Sequence, residues 1–480
     1  MRVVIVGGGS SGWMSAAAFC KTFPDWDITV ISNGESIGVG ESTTPHFDQY
    51  LKYMDISDEE FIPAARATFK SSSRFEDFAS MGSVFHYPNG QFPPENDYNE
   101  WMIAKEYFPE NLPSFAEVFM PFVTVAEQGK LPLRDPLLGE YCLSKDRSFH
   151  IDASAFVDYL KSRFCKDVKH IEGKVKKVNR STGIDNIVVD GSKVFADLFI
   201  DCSGQNSILT NSECIRYNTI LTDTALVTRS QYMNRNLEMV PYTNARGMSA
   251  GWTWTIPTYD YISRGYVFSS EFQSLDDAAY EFGWDDFKVV KFRNGRRKEA
   301  WVGNCISIGL SYGFIEPLES TGLFNTHHGI LALMDILREE ALPGRFARDR
   351  YNYNMAEHMD GWREFVEAHY YYSQRRDTEF WRAVSEVEYP IRGAHADIQQ
   401  IMVAGDAFPS EHMPIVYILA GSGYTNVNRR LVEYFKPPFP IGQKKVDAWT
   451  RKYDRILKHS ENQPTMHQHL SRYFYSNLGA

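Results

Sequence analysis

Gly7, Gly9 and Gly12 lie between the apolar run "VVIV" and the helix-prone "WMSAAAFCKTF". This Gly-x-Gly-x-x-Gly spacing suits a dinucleotide. The turn needs backbone without Cβ, and the pyrophosphate then sits on the positive end of the helix that follows. Ser10 and Ser11 fall inside that turn. The next strand, "DITVIS", ends on Ser32, where an acidic residue usually meets the ribose hydroxyls, and Glu35 is the nearest carboxylate that could reach back. A second glycine-rich turn, "IGVGEST", offers Gly38, Val39, Gly40 and Glu41 for another close approach of backbone to cofactor. Each turn alone is equally a structural one; in this order they favour a bound dinucleotide.

Two further stretches carry residues with chemical potential. In "GWTWTIP" (Gly251 to Pro257) a strand would put Trp252 and Trp254 on one side, with Ile256 continuing the row. On the motif alone, a core strand with two packed indoles fits as well as a functional wall. In "GFIEPLESTGL" (Gly313 to Leu323), Glu316 and Glu319 are rival carboxylates, and either also fits a helix start. Thr321 and Gly322 would then present backbone N–H groups at a helix N-terminus, a natural anion site. His327 and His328 are adjacent and point to different helix faces, which does not suit one metal. The sequence has no HExxH and no nucleophile elbow, so neither a metal enzyme nor a serine hydrolase is expected.

These residues need a frame, and the chain supplies one. At 480 residues it is long enough for two or three domains. Strand, turn, helix and strand at the N-terminus make a βαβ unit. "GKVKKVNR" and "IDNIVVDGSKVFADLFIDCSG" alternate as strands do, residues from about 220 to 310 are strand-rich, and "HHGILALMDILREEAL" and "MAEHMDGWREFVEAHYYYSQRR" read as long helices. The expected organisation is a 1–335 dinucleotide-binding part, with about 46–140 and 220–300 peripheral to it, and a mainly helical 336–480 lobe. A net charge of −11 argues against nucleic acid. Six scattered cysteines with no CxxC pair fit a reducing cytoplasm better than a disulfide scaffold or zinc ribbon. No apolar run is long enough for a membrane span.

FAD is preferred to NAD because "DLFIDCSGQNS" (Asp197 to Ser207) resembles the late strand by which many FAD enzymes close over the adenine side, and Val175 sits where they bond adenine through backbone. With "GGGSSGW", "GVGESTTP", the Lys70 segment "ATFKSSSRFEDF", "DLFIDCSG", the WxWxIP box, "GYVFSS", "NCISIGLSYGFIEPLESTG" and "HYYYSQRRDTEFW" in order, the chain resembles the flavin-dependent halogenases of the tryptophan-halogenase-like family. The resemblance runs from 1 to about 385, with a weaker echo at "ILAGSGY".

That resemblance implies an α/β fold: an FAD-binding Rossmann-type core of the glutathione-reductase/hydroxybenzoate-hydroxylase type, with an inserted β-sheet and a helical C-terminal lobe. It implies FAD used as FADH2, a separate flavin reductase as partner (no second Gly-x-Gly-x-x-Gly is present), and halide held at Thr321 and Gly322. Leu310 and Leu323 would flank the flavin ring through backbone. Lys70 would deliver hypohalous acid to an electron-rich aromatic ring, Glu319 would be the base, and Trp252 and Trp254 would keep substrate from the oxidant. A flavin hydroxylase and a non-catalytic FAD-binding protein are the rival readings. Trp362, Phe365, His369, Tyr372, Trp381 and Tyr424 are candidates for an aromatic pocket or for the core. Which halide, which aromatic substrate (an indole, a tryptophan-like compound or a phenol) and whether the chain forms a homo-oligomer stay open.

Overall fold

The apolar N-terminal run forms a buried strand, Arg2–Val6, flanked in parallel by Asp27–Ser32 and Leu198–Asp201. The computed structural model describes residues 1–34, 40–90, 98–108, 112–139, 141–340, 343–389, 413–423 and 440–476. Gly38, Val39, Glu35 and Tyr424 therefore lie outside the described residues. The chain divides into two compact units: 1–67, 150–229 and 287–364 form the first, and 68–149, 230–286 and 365–480 the second.

In the first unit a six-stranded sheet runs Trp301–Val302, Cys305–Ser307, Leu198–Asp201, Arg2–Val6, Asp27–Ser32, Lys169–Glu172, parallel except at the first pair. This is the Rossmann-type core, and "DLFIDCSG" is its late strand as the sequence suggested. Its central strands, Arg2–Val6 and Leu198–Asp201, are mostly apolar and buried because both faces are covered. One face packs with the small antiparallel sheet built from Val175–Arg180, Ile184–Val189 and Ser192–Val194, in a core that includes Val4, Val6, Ile31, Phe199, Ile187 and Leu209. Helix Ser10–Thr22 packs against helices Ala153–Phe164 and Thr321–Glu339. The latter, followed by Arg345–Tyr371, provides the long helices read from the periodic segments.

The second unit holds the inserted sheet. Five of its strands lie in this unit and run Ile262–Phe268, Gly251–Pro257, Tyr242–Gly247, Ser72–Glu76, Val84–Pro88, antiparallel except where Tyr242–Gly247 meets Ser72–Glu76. Along Gly251–Pro257, Trp252, Trp254 and Ile256 are buried while Thr253 and Thr255 are partly exposed, the alternation expected of a strand. Trp254 is opposite Gly265, and its ring lies over that glycine: a Cβ there would fall 2.1 Å from the indole. Helices Glu379–Glu386, Met413–Gly421, Pro440–Ser460 and Met466–Tyr473 belong to the same unit.

A missing side chain at Gly265 is thus a condition for the Trp254 rotamer. Gly265→Ala is expected to lower unfolding stability by about 1–3 kcal/mol through overpacking, measured by denaturant titration, with loss of the Trp254 environment visible in the near-ultraviolet circular dichroism.

Candidate functional site

The three glycines of the first turn serve three different needs. Gly7 has φ +129°, and a Cβ on it would lie 2.0 Å from the Cys202 carbonyl oxygen. A Cβ on Gly12 would lie 1.9 Å from the carbonyl oxygen of Gly7, so that glycine lets the helix close on the strand. Around Gly9, by contrast, nothing in the protein lies within 4 Å of the Cβ position. The protein does not fill that space, and a ligand's close approach does explain it. Gly9 also serves as N-cap of helix Ser10–Thr22, with no side chain capping it and no acidic residue in the first turn. The first-turn N–H groups there suit a pyrophosphate, and the turn fits FAD.

Other candidates gather round it. Gly173 N–H donates to the Ser32 carbonyl at 2.8 Å, which ties the segment leading into Val175 to the end of the second strand. The Ser32 hydroxyl itself is 2.8 Å from His170 Nε2. His170 was not singled out from the sequence, and only the parallel pairing of Asp27–Ser32 with Lys169–Glu172 makes it a neighbour. Ser10 Oγ donates to Glu41 Oε1 at 3.4 Å. Burial pushes the Glu41 carboxyl up to about 7, against a smaller opposing pull from the Ser10 hydroxyl.

The turn Gly309–Ser311, which carries Leu310, abuts the same place. Gly309 has φ +69°, and a Cβ on it would fall 2.2 Å from Ser11 Oγ. Ser11 Oγ is also 3.0 Å from Thr326 Oγ1, and Thr326 Oγ1 donates to the Gly322 carbonyl at 3.0 Å. The glycine turn, the Leu310 turn and the start of helix Thr321–Glu339, which includes Leu323, therefore meet within the first unit. Asp201, at the end of the late strand, holds the next loop in place: it accepts 2.8 Å bonds from Leu209 N–H, Thr210 N–H and the Thr210 hydroxyl. Its signal in the sequence was an acid closing an apolar run.

Thr321 and Gly322 do begin a helix. Ser320 enters it in the left-handed region (φ +58°) and places no side chain across its end. Thr321 is fully buried, and its hydroxyl has no hydrogen-bond partner among the described residues. A Cβ on Gly322 would meet nothing within 4 Å. An uncapped helix N-terminus beside open space is a place for a small anion. The two carboxylates just before it differ sharply. Glu316 is buried and accepts from the Thr222 hydroxyl, while its N–H donates to Asn294 Oδ1 at 2.9 Å. Asn294 in turn donates to the Thr222 carbonyl at 2.7 Å, so Glu316 belongs to a closed structural loop. Glu319 ends the single turn Pro317–Glu319 and is 3% exposed.

Lys70, in the second unit, ends the short strand Thr68–Lys70 and is 3% exposed. The Thr68 hydroxyl donates to the Pro257 carbonyl at 2.6 Å, joining the lysine strand to the end of the tryptophan strand. Asn89 Nδ2 donates to the Lys70 carbonyl at 2.9 Å and to Ser148 Oγ at 2.7 Å, and Ser71 N–H donates to the Pro241 carbonyl at 2.8 Å. Phe69 packs among Phe149, His469 and Phe474. The backbone around the lysine is held from four directions.

Of the aromatic pocket candidates, four are core residues of the second unit. His369 Nδ1 bonds the Phe365 carbonyl at 2.9 Å, and its ring lies 4.9 Å from that of Phe75. Trp381 Nε1 donates to the Met248 carbonyl at 2.8 Å under the Arg375 guanidinium, and Tyr372 is fully buried. His327 lies at the centre of an aromatic group with Phe324 and Phe47, and burial holds it neutral, down to about 3. Among the described residues no group of three His, Cys, Asp or Glu side chains could hold a metal, and no helix is long and apolar enough to cross a membrane.

The family model for tryptophan halogenase matches residues 2–412. The chain is 31% identical over 424 residues to tryptophan 7-halogenase RebH of Lentzea aerocolonigenes, covering 80% of this chain and 79% of that protein. Among solved structures, the apo structure of VirX1 superimposes with a TM-score of 0.90 at 33% identity, covering 99% of both chains. BrvH, a flavin-dependent halogenase from Brevundimonas sp. BAL3, gives 0.84 at 26% identity, covering 98% of this chain and 99% of that one.

The raised Glu41 carboxyl has a consequence for stability. The folded state keeps a proton that the unfolded chain releases near the ordinary 4.5, so this stabilisation is complete below that pH and is lost as pH rises toward about 7. In denaturation of the flavin-free protein across this range, Glu41→Gln is expected to flatten the loss, by up to the order of 3 kcal/mol at neutral pH.

Proposed function

The chain belongs to the tryptophan halogenase family, and on that premise we propose that Lys70, Glu319, Thr321 and Gly322 carry out its chemistry through hypohalous acid. Membership makes it an FADH2-dependent oxidoreductase that halogenates aromatic compounds using halide, in a family generally served by a separate flavin reductase. When bound, reduced FAD supplies the oxidising equivalent, from O2, that turns halide into hypohalous acid. The residues do the rest. The N–H groups of Thr321 and Gly322, at an uncapped helix end beside open space, hold the halide.

Lys70 takes the hypohalous acid. Its ammonium donates a hydrogen bond to the acid's oxygen, or its neutral amine takes the halogen as a haloamine while the O–halogen bond breaks and water leaves, the amine regaining its proton once the ring takes the halogen; either way one carbon of the ring is presented to an electrophile. The observation that carries this reading is a lysine 3% exposed, on a strand tied by hydrogen bonds to the strand of Trp252 and Trp254. Lysine is seldom this deeply buried. An arginine would retain charge but not form the N–halogen bond. Glu319 takes the proton that the ring loses and stabilises the cationic intermediate before it. The closed loop around Glu316 supports Glu319 in that role, since the Glu316 carboxylate is already engaged by Thr222. Trp252 and Trp254 bar the organic substrate from the oxidant, so that halide alone is oxidised.

The substrate is an electron-rich arene of the indole or phenol type. RebH acts on tryptophan at position 7, as its name states. The test supplies a flavin reductase, FAD, a panel of indoles and phenols and each of chloride, bromide and iodide, with products read by mass spectrometry. Halogenated products dependent on halide are expected. Oxygenated products without halogen would overturn the reading. Lys70→Ala is expected to abolish arene halogenation while flavin oxidation continues. Glu319→Gln is expected to lower kcat by about 10²–10⁴ with little change in melting temperature, whereas Glu316→Ala is expected to lower the melting temperature by breaking a buried network.

A further inference from the structure

A small solvent-open cleft, with a cavity volume of about 180 Å³, lies in the second unit. Its walls are aromatic: Phe85 from strand Val84–Pro88, Trp101 from helix Tyr98–Tyr107, Phe115 from helix Phe115–Phe119 and Tyr417 from helix Met413–Gly421. Phe115 meets both Trp101 and Tyr417 edge to face, at centroid distances of 5.5 and 4.8 Å. Gly421 is required for this shape. A Cβ on it would lie 2.2 Å from the Phe85 ring.

The polar groups lining the cleft are mostly committed. His86 is held between Ser72 Oγ at 2.9 Å and Glu127 Oε2 at 2.8 Å. Ser114 caps its helix, accepting from Glu117 N–H at 3.3 Å. Trp101 Nε1 donates to the Pro113 carbonyl at 3.0 Å. Lys105 is the exception. Its ammonium lies 5.0 Å from the Trp101 ring centre and forms no ion pair with a described residue. Burial holds it below the ordinary lysine range. A half-desolvated cation over an indole face, beside aromatic walls, is complementary to a flat ring bearing an anionic group.

The cleft is not the neighbourhood of Lys70. Phe85 pairs with Phe75 at one end of the hairpin, while Asn89, which bonds the Lys70 carbonyl, follows its other end, roughly 13 Å along the strand.

We propose that this cleft is a binding site for a small aromatic carboxylate, its ring seated among Phe85, Trp101, Phe115 and Tyr417 and its carboxylate on Lys105 Nζ. The inference does not rest on the halogenation reading, and its test uses neither reduced flavin nor halide.

The experiment is titration calorimetry of the full chain with indole-3-acetate and with its neutral isostere indole-3-ethanol. The wild type is expected to bind the carboxylate at least tenfold more tightly. Lys105→Gln should erase that difference, Lys105→Arg should restore most of it, and Trp101→Ala should weaken both ligands. Lys70→Ala should leave all these affinities unchanged. Equal affinity for the two ligands, no binding of either, or a carboxylate preference lost in Lys70→Ala but kept in Lys105→Gln would each overturn the proposal. That last outcome would move the ligand to Lys70 and leave the halogenation reading standing.

Discussion

A lysine ammonium removed from water is an expensive group to place, and the second unit is arranged to place one. Taking a lysine ammonium out of water costs several kcal/mol of solvation, and Lys70, at 3% exposure, sits on a segment that neighbouring strands and loops hold in place. The short strand Thr68–Lys70 is fixed by a side-chain bond to Pro257, the carbonyl of Lys70 by Asn89, the next residue by Pro241, and the preceding phenylalanine by three aromatic rings. Proline is tolerated where it closes the tryptophan strand. As the last residue of the strand it lacks only an N–H, and its carbonyl takes the Thr68 bond.

The first unit solves a complementary problem, that of anions. Among the helices that begin there without a capping side chain, those entered at Gly9 and at Ser320 each begin where a glycine leaves open space. Their first-turn N–H groups are oriented to receive an acceptor, which is why the pyrophosphate and the halide are proposed there. The Ser11, Thr326 and Gly322 bonds link the two helix starts. Glu41 sits beside the first start, where burial raises its carboxyl to about 7.

Much of this was legible in the chain because it is local. Glycine spacing, the apolar strand runs, the period-2 row of Trp252, Trp254 and Ile256 and the helix start at Thr321 each follow from a few neighbouring residues. What was not legible depends on distant partners. Nothing within "EPLEST" shows that Glu316 accepts from Thr222, 94 residues earlier. Ser32 found its partner in His170 only through strand pairing. Phe365, His369, Tyr372 and Trp381 have the composition of a pocket but are core, because Phe75, Met248 and Arg375 reach them from other segments. The Lys105 cleft left no motif at all, since four separate elements supply its walls.

The central claim is that Lys70 keeps the electrophilic halogen on the protein until the ring takes it. The most direct measurement adds a bulk-phase hypohalous-acid scavenger, a diketone that bleaches on halogenation, to turnover with an excess of aromatic substrate. With the wild type the scavenger should stay intact while the arene is halogenated, and with Lys70→Met the scavenger should bleach as flavin is consumed. Quenching of wild-type arene halogenation by the scavenger, in proportion to its concentration, would show that the halogen travels free in solution and that Lys70 does not deliver it.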